Sequence, residues 1–188
     1  MIQEENSKSL VKRWLPLIIF LMLAGLFLYM LTQMNTGEYN PRDVPTEFIG
    51  KPAPQFALPD LLETGTTVNS SDFKGKPWLL NVWATWCPEC WREHEYLIAL
   101  AKQRGIVIVG LNWRDETDKA RQMLANLGNP FARVAIDKES DTVMDWGVYA
   151  APETFLVDAE GIIRAKHKGA LNETVWQKKF ARHFGDKS

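Results

Sequence analysis

From Trp14 to Leu31 the chain runs 18 residues without a charged position, and beyond that it changes to short alternating and periodic segments. At 1.5 Å per residue the run makes a helix of about 27 Å, close to the ~30 Å thickness of a hydrocarbon layer. It predicts a membrane anchor over residues 14–33, where Pro16 and Gly25 are tolerated as they are in lipid-embedded helices. Trp14 and Tyr29 stand where interfacial aromatics belong. Lys8, Lys12 and Arg13 precede the run and no Lys or Arg follows until Arg42. The positive-inside bias therefore predicts a cytoplasmic N-terminus over residues 1–13 and everything after the anchor outside. A cleaved signal peptide would carry small residues before its cleavage point and a shorter apolar stretch of ~7–15 residues. Leu31-Thr32-Gln33-Met34 supplies no such residues. Residues 34–48 are mostly polar, with Pro41 and Pro45, and read as a linker to a domain over residues 49–188.

In that domain Gly50-Lys51-Pro52-Ala53-Pro54 predicts extended backbone, because each proline disfavours helix at itself and at the residue before it. Phe56 and Leu58 alternate as on a strand, a second short strand is predicted near Thr66–Val68, and Lys74-Gly75-Lys76-Pro77 is turn chemistry. Trp78 to Ala84 is almost continuously apolar, as in a strand covered on both faces, and it leads directly to Trp86-Cys87-Pro88-Glu89-Cys90. Proline suits a first helical position, so a helix is predicted from Pro88 to about Arg104, with Leu97, Leu100 and Ala101 on one face and Gly105 as its stop. Ile106–Leu111 reads as a strand, Thr117–Leu127 as a helix ending at Gly128, Val134–Ile136 as a strand and Asp141–Trp146 as a helical turn. Glu153–Asp158 and Ile162–Lys168 form a hairpin about Ala159-Glu160-Gly161, and Asn172 caps a last amphipathic helix to about Phe184. This alternation predicts an α/β fold: a central mixed sheet with helices on both faces.

Composition narrows the function. With 46% hydrophobic and 24% charged residues the chain is globular, which excludes disorder and collagen. A formal net charge of −1 provides no basic field for a polyanion, so nucleic acid is not an expected partner. The two cysteines, Cys87 and Cys90, lie too close in sequence to staple distant parts of a fold, and read as chemistry. One helical turn apart, their Cα atoms fall within the ~4.4–6.8 Å window of a disulfide. Cys87 stands just outside the helix, where free N–H groups and the macrodipole favour a thiolate, while Cys90 is shielded in the turn behind it. Cys87 is therefore expected to attack a disulfide and Cys90 to resolve the mixed disulfide, releasing reduced substrate. Trp86, beside the nucleophile, is expected to be partly exposed as a substrate contact. Trp83, Trp91, Trp113, Trp146 and Trp176 are expected as core or rim aromatics, and His167 and His183 on the surface.

Trp86-Cys87-Pro88-Glu89-Cys90 after a buried strand resembles the active site of thioredoxin-fold oxidoreductases. Together with Gly50-Lys51-Pro52-Ala53-Pro54-Gln55-Phe56, the stretch from Leu80 to Pro88, Glu93-His94 and Gly147-Val148-Tyr149-Ala150-Ala151-Pro152-Glu153-Thr154-Phe155, it resembles the membrane-anchored cytochrome c maturation proteins of the CcmG/DsbE type. The resemblance extends over residues 14–184 and implies a thioredoxin-like sheet. It makes Pro152 a cis-proline facing the cysteines, Glu93 and Glu153 acidic residues beside them, and Tyr149 part of a nearby groove. Glu89 stands where that family usually has a small polar residue, and Ala150 where it often has glycine. Trp86, Pro88, Glu89, Glu93, Tyr149, Pro152 and Glu153 are thus the expected substrate-binding or redox-tuning residues around Cys87 and Cys90.

The implied activity is reductive. Such a protein keeps the haem-binding cysteines of apocytochrome c, or a thiol protein of the maturation machinery, reduced in an oxidising periplasm. Electrons would cross the inner membrane through a thiol carrier of the DsbD/CcdA type. No cofactor beyond the redox-active Cys87–Cys90 disulfide is implied. A different class of protein, a copper metallochaperone, would use the same pair as metal ligands for an exported oxidase. His94, four residues after Cys90, would be a third ligand, but no second Cys-x-x-Cys supplies a fourth, so no metal is expected.

Overall fold

A computed structural model describes residues 4–35 and 48–185. The chain divides into two compact units, residues 1–44 and 45–188. In the first, helix α1 (Glu4–Asn35) contains the whole apolar run and extends past the expected anchor of 14–33 at both ends. Glu4 to Lys12 include no glycine or proline, so the polar stretch simply continues the helix. Its segment Arg13–Met30 has a mean hydropathy of 1.9 with none of it buried, long and apolar enough to cross a membrane. The linker expected over 34–48 falls largely outside the described residues.

In the second unit a small hairpin, β1 (Ala57–Pro59) and β2 (Thr67–Asn69), precedes β3 (Trp78–Trp83), α2 (Pro88–Arg104), β4 (Ile108–Trp113) and α3 (Thr117–Leu127). Then follow β5 (Arg133–Asp137), α4 (Asp141–Asp145), β6 (Glu153–Val157), β7 (Ile163–Lys168) and α5 (Glu173–Lys179). Among the described residues β3 to β7 form one mixed sheet in the order β5-β4-β3-β6-β7. β3, β4 and β5 are parallel, and β6 and β7 run antiparallel to their neighbours. Each edge strand carries a neighbouring segment over part of its length. Gly50 and Ala53 bond to Ile163 and Gly161 beside β7, while Leu61 bonds to Val134 and Asp60 pairs with Arg133 at 2.7 Å beside β5.

Side-chain alternation divides the core between the two sheet faces. Leu79, Trp83 and Leu156 pack with Leu97, Leu100, Met123 and Trp176 of α2, α3 and α5. Leu80, Val82, Val109 and Phe155 pack on the other face with Val143 of α4, with Trp146 just after it, and with Phe56 and Val68. Gly110 sits mid-strand because a Cβ there would lie 2.9 Å from both Phe131 Cγ and Trp83 Nε1, whose rings stack at 5.4 Å. Gly110→Ala is expected to destabilise the domain by about 1–3 kcal/mol through overpacking. The urea midpoint should fall with the slope unchanged.

Two elements of this unit have boundaries more than one residue from expectation, and the burial of two histidines differs as well. β4 starts at Ile108, not Ile106, because Gly105 turns left-handed (φ 66°) and the Ile106 N–H bonds back to Leu100, spending the first apolar residues on ending α2. The last helix stops at Lys179 and tightens into a 3-10 turn, Ala181–His183, in which Phe180 and Phe184 both stack on Trp176, at 6.0 and 5.3 Å. His167, expected on the surface, is buried, and His183 is half-buried. β7 reads as polar, but α5 packs on the face of β7 that carries Ala165 and His167.

Candidate active site

The parallel strands β3 and β4 end at the same side of the sheet, and β6 begins there because it runs against β3. The cysteine loop, the Arg114–Glu116 loop and the segment before Glu153 therefore gather beyond one sheet end, where α/β folds place their sites. β3 delivers the chain to a turn closed by Cys87 N–H on Ala84 O at 3.3 Å. Cys87 is the N-cap of α2, Pro88 its first helical residue, and Cys87 and Cys90 form a disulfide with Cα atoms 5.4 Å apart. The Cys90 backbone N–H is shared between Cys87 Sγ and Cys87 O, each at 3.1 Å, so a donor of the helix start is aimed at that sulfur.

The expected difference in exposure is absent in this disulfide state: Cys87 is 2% exposed and Cys90 3%. Both sulfurs pack in the apolar cluster of Trp83, Ala84 and Leu97, because the turn at Ala84 folds the loop down onto the sheet. What distinguishes the two is position at the helix terminus, where Cys87 alone of the pair caps the free N–H groups.

Aromatic and acidic groups brace the loop. Asp115 accepts from both the backbone N–H and the hydroxyl of Thr85, each at 2.6 Å, and from Asn112 Nδ2 at 2.9 Å. Trp86 Nε1 donates to Arg114 O at 3.2 Å and Trp91 Nε1 to Thr85 O at 2.9 Å. Arg114 holds a left-handed φ of 46°, uncommon for a residue with a side chain. Trp86 is 52% exposed, as expected of a contact residue, and Trp91, expected in the core or at its rim, is 47% exposed. The two indoles wall a cleft of about 540 Å³ with Asp115, Lys119 and Met123.

Beneath the disulfide lies a buried polar network. Glu93, one turn after Cys90 on α2, accepts from Asn81 Nδ2 at 2.9 Å and from the Leu171 N–H at 2.6 Å, and Asn81 also donates to Thr154 Oγ1 at 3.1 Å. Burial pushes the Glu93 carboxyl up to about 7 despite those two donors. One helical turn from Cys90, it is a candidate proton acceptor for that thiol. His94 points elsewhere: its Nε2 meets the Gly128 carbonyl at 2.8 Å, tying α2 to the end of α3, and burial holds its pKa below the usual imidazole value. Among the described residues no three His, Cys, Asp or Glu side chains are grouped to hold a metal. Glu89 is half-buried and ion-paired with Arg92 at 2.8 Å.

The Ala151-Pro152 bond is cis, and Ala151 packs against the cluster that contains both cysteines. Tyr149 stands 82% exposed on the loop before it. Alternation along β6 sends Thr154 toward Asn81 and α2 but Glu153 to the opposite sheet face, with Val82 and Phe155. Of the two acidic residues expected beside the cysteines, only Glu93 shares their face. Glu153 is buried against Lys166 at 2.8 Å, and desolvation raises its pKa and lowers that of Lys166. Asn81, Asp115 and Lys166 carry no motif of their own, and Trp91 reads only as a core or rim aromatic. Asn81 and Asn112, lone amides inside apolar strands, were the available signal.

Residues 48–182 match the Redoxin family. The chain is 48% identical over 176 residues to the thiol:disulfide interchange protein DsbE of Vibrio cholerae, covering 94% of this chain and 93% of that protein. It is 46% identical over 164 residues to DsbE of Escherichia coli K12, covering 87% and 88%. Among solved structures, a secreted thiol-disulfide isomerase from Corynebacterium glutamicum aligns with a TM-score of 0.63 at 23% identity, over 71% of this chain and 85% of that one, a likeness of fold.

Proposed function

Because this chain belongs to the Redoxin family and, within it, to the DsbE thiol:disulfide interchange proteins, we propose that it reduces the haem-binding cysteines of apocytochrome c or of their maturation partner. That it is a thiol-disulfide oxidoreductase of thioredoxin-like fold, acting on thiol-containing proteins, is the premise. The observation that carries the mechanism is the seat of Cys87: the N-cap of α2, its sulfur receiving the Cys90 N–H.

In the reduced protein the Cys87 thiolate attacks one sulfur of the partner's disulfide, and the other leaves as a thiolate. Cys90 then loses its proton to Glu93 and attacks Cys87 Sγ, which breaks the mixed disulfide and releases the second partner sulfur as a thiolate; the two partner thiolates take up the proton held by Glu93 and one from water. Two electrons have passed to the partner, and the protein is left with the Cys87–Cys90 disulfide. The disulfide carries the redox chemistry without a further cofactor. Trp86, Tyr149 and Pro152 border the approach of the partner chain, with Pro88 and Glu89 at the helix start. Re-reduction runs the same exchange backwards against a transmembrane thiol carrier of the DsbD/CcdA type. The apolar segment Arg13–Met30 supports a single anchor in the inner membrane. The basic residues before it support a cytoplasmic N-terminus and a periplasmic catalytic domain.

The test is Cys90→Ser in the full chain, expressed in membranes and trapped by acid and alkylation. The expected product is a mixed disulfide at Cys87 whose partner, by mass spectrometry, carries a Cys-x-x-Cys-His haem motif or belongs to the haem-attachment machinery. Trapping of unrelated thiol proteins in equal amounts would refute the substrate assignment.

A further inference from the structure

We propose that Lys166 is a positioning residue for protein substrates: its buried ammonium, paired with Glu153, fixes the shape of the 147–152 loop that a partner chain meets beside the disulfide. The inference rests on thiol-disulfide exchange with a protein and not on which protein carries the disulfide.

Lys166 lies on β7 opposite Phe155 of β6, where a lysine in a polar strand would ordinarily reach water. Instead both it and Glu153 are buried. Its Nζ lies 2.8 Å from Glu153 Oε2 and donates to the Gly147 carbonyl at 2.9 Å. Glu153 itself directly follows Pro152 at the far end of the loop. One ammonium thus ties together the two ends of the loop, Gly147 before it and Glu153 after it. The rings of Phe155 and Phe48, with centroids 4.6 and 5.6 Å from the ammonium, line its surroundings. Phe48 also abuts Gly147, where a Cβ would lie 2.4 Å from its ring.

The remaining backbone bonds hold only the ends of the segment: Gly147 N–H to Met144, Val148 N–H to Val143, and Gly169 N–H to the Pro152 carbonyl. Tyr149 and Ala150 between them are exposed. A buried lysine makes no contribution to disulfide chemistry on the opposite face of the sheet, and an apolar residue in its place would leave the Gly147 carbonyl and the Glu153 carboxylate without their partner. The ammonium hydrogen-bonds the carbonyl and ion-pairs with the carboxylate and, through them, sets the loop. An extended partner strand meets this loop, whereas a small disulfide needs only the sulfur.

The experiment uses the full chain in detergent with Lys166→Met. Two readouts are taken: hydrogen exchange of the 148–151 amides, and the rate with an oxidised Cys-x-x-Cys-His peptide relative to oxidised glutathione. The loop amides should exchange at least about tenfold faster while β3 and β6 keep their protection. The peptide rate should fall about tenfold, chiefly through KM, with the glutathione rate within about twofold of wild type. Unchanged loop exchange, or equal loss toward both disulfides, would overturn the proposal. If wild type itself ignores the peptide, the cytochrome reading fails and the amide exchange still decides this one. Should Lys166→Met not fold, Lys166→Gln, which keeps a donor without the charge, is read the same way. Failure of both to fold would assign the pair to stability and reject the positioning role.

Discussion

Cys87→Ala will bring disulfide exchange down to the uncatalysed rate, whereas Cys90→Ala will keep the first attack and stall with the partner covalently bound. The asymmetry follows from the helix terminus. Cys87 caps α2 and receives the Cys90 N–H, so its thiolate is stabilised by an oriented donor and by the positive end of a 17-residue helix. Cys90 lies inside the first turn and gains neither. Equal burial of the two sulfurs in the disulfide removes steric access as the explanation, so the order of attack rests on electrostatics. Single-turnover reaction with a disulfide peptide, read by non-reducing electrophoresis, separates the cases: no adduct for Cys87→Ala and a stable adduct for Cys90→Ala. An adduct formed by Cys87→Ala at a comparable rate would reverse the assignment.

Glu93→Gln should slow resolution of the mixed disulfide about tenfold to a hundredfold at neutral pH while leaving the first attack intact, because it removes the proton acceptor behind Cys90. The same substitution should raise stability at alkaline pH. In the folded protein this carboxyl holds its proton to about pH 7, against 4.5 as its ordinary value. Between those values the folded state binds more protons than the unfolded chain, so this group's contribution to stability falls as pH rises through the window and is level above it. The loss amounts to about 3 kcal/mol. Wild type and Glu93→Gln should therefore diverge from about pH 5 to pH 7, the variant gaining up to that amount less the cost of rearranging its bond with Asn81. Urea melts at pH 4.5 and 8 measure it. A variant less stable than wild type at pH 8 would mean the carboxylate is welcome where it lies.

Much of this arrangement was legible in the chain. Pro88 and Gly105 bracket α2, and the apolar run of β3 led straight to the cysteines, because caps and covered strands leave strong local signatures. The carboxyl pair was less legible. Glu93 and Glu153 look alike in sequence, but helix phase buries one under the disulfide and strand alternation sends the other through the sheet to Lys166. His167 reads as a surface residue and Lys166 carries no signal of its own, since burial of β7 depends on α5 and on the Gly50–Ala53 segment, both remote in sequence. Exposure of the sulfurs was misjudged for a similar reason. The turn at Ala84 that lowers Cys87 into the core is braced by Asp115, 30 residues away from Thr85.

The central claim is that Cys87 at the start of α2 is the attacking thiolate, and limiting alkylation of the reduced full-length protein across pH tests it most directly. Peptide mapping after iodoacetamide at less than one equivalent should find the label on Cys87, with a titration midpoint below the ordinary cysteine value of about 8.5. Label found first on Cys90, or equal labelling of both with ordinary midpoints, would contradict it.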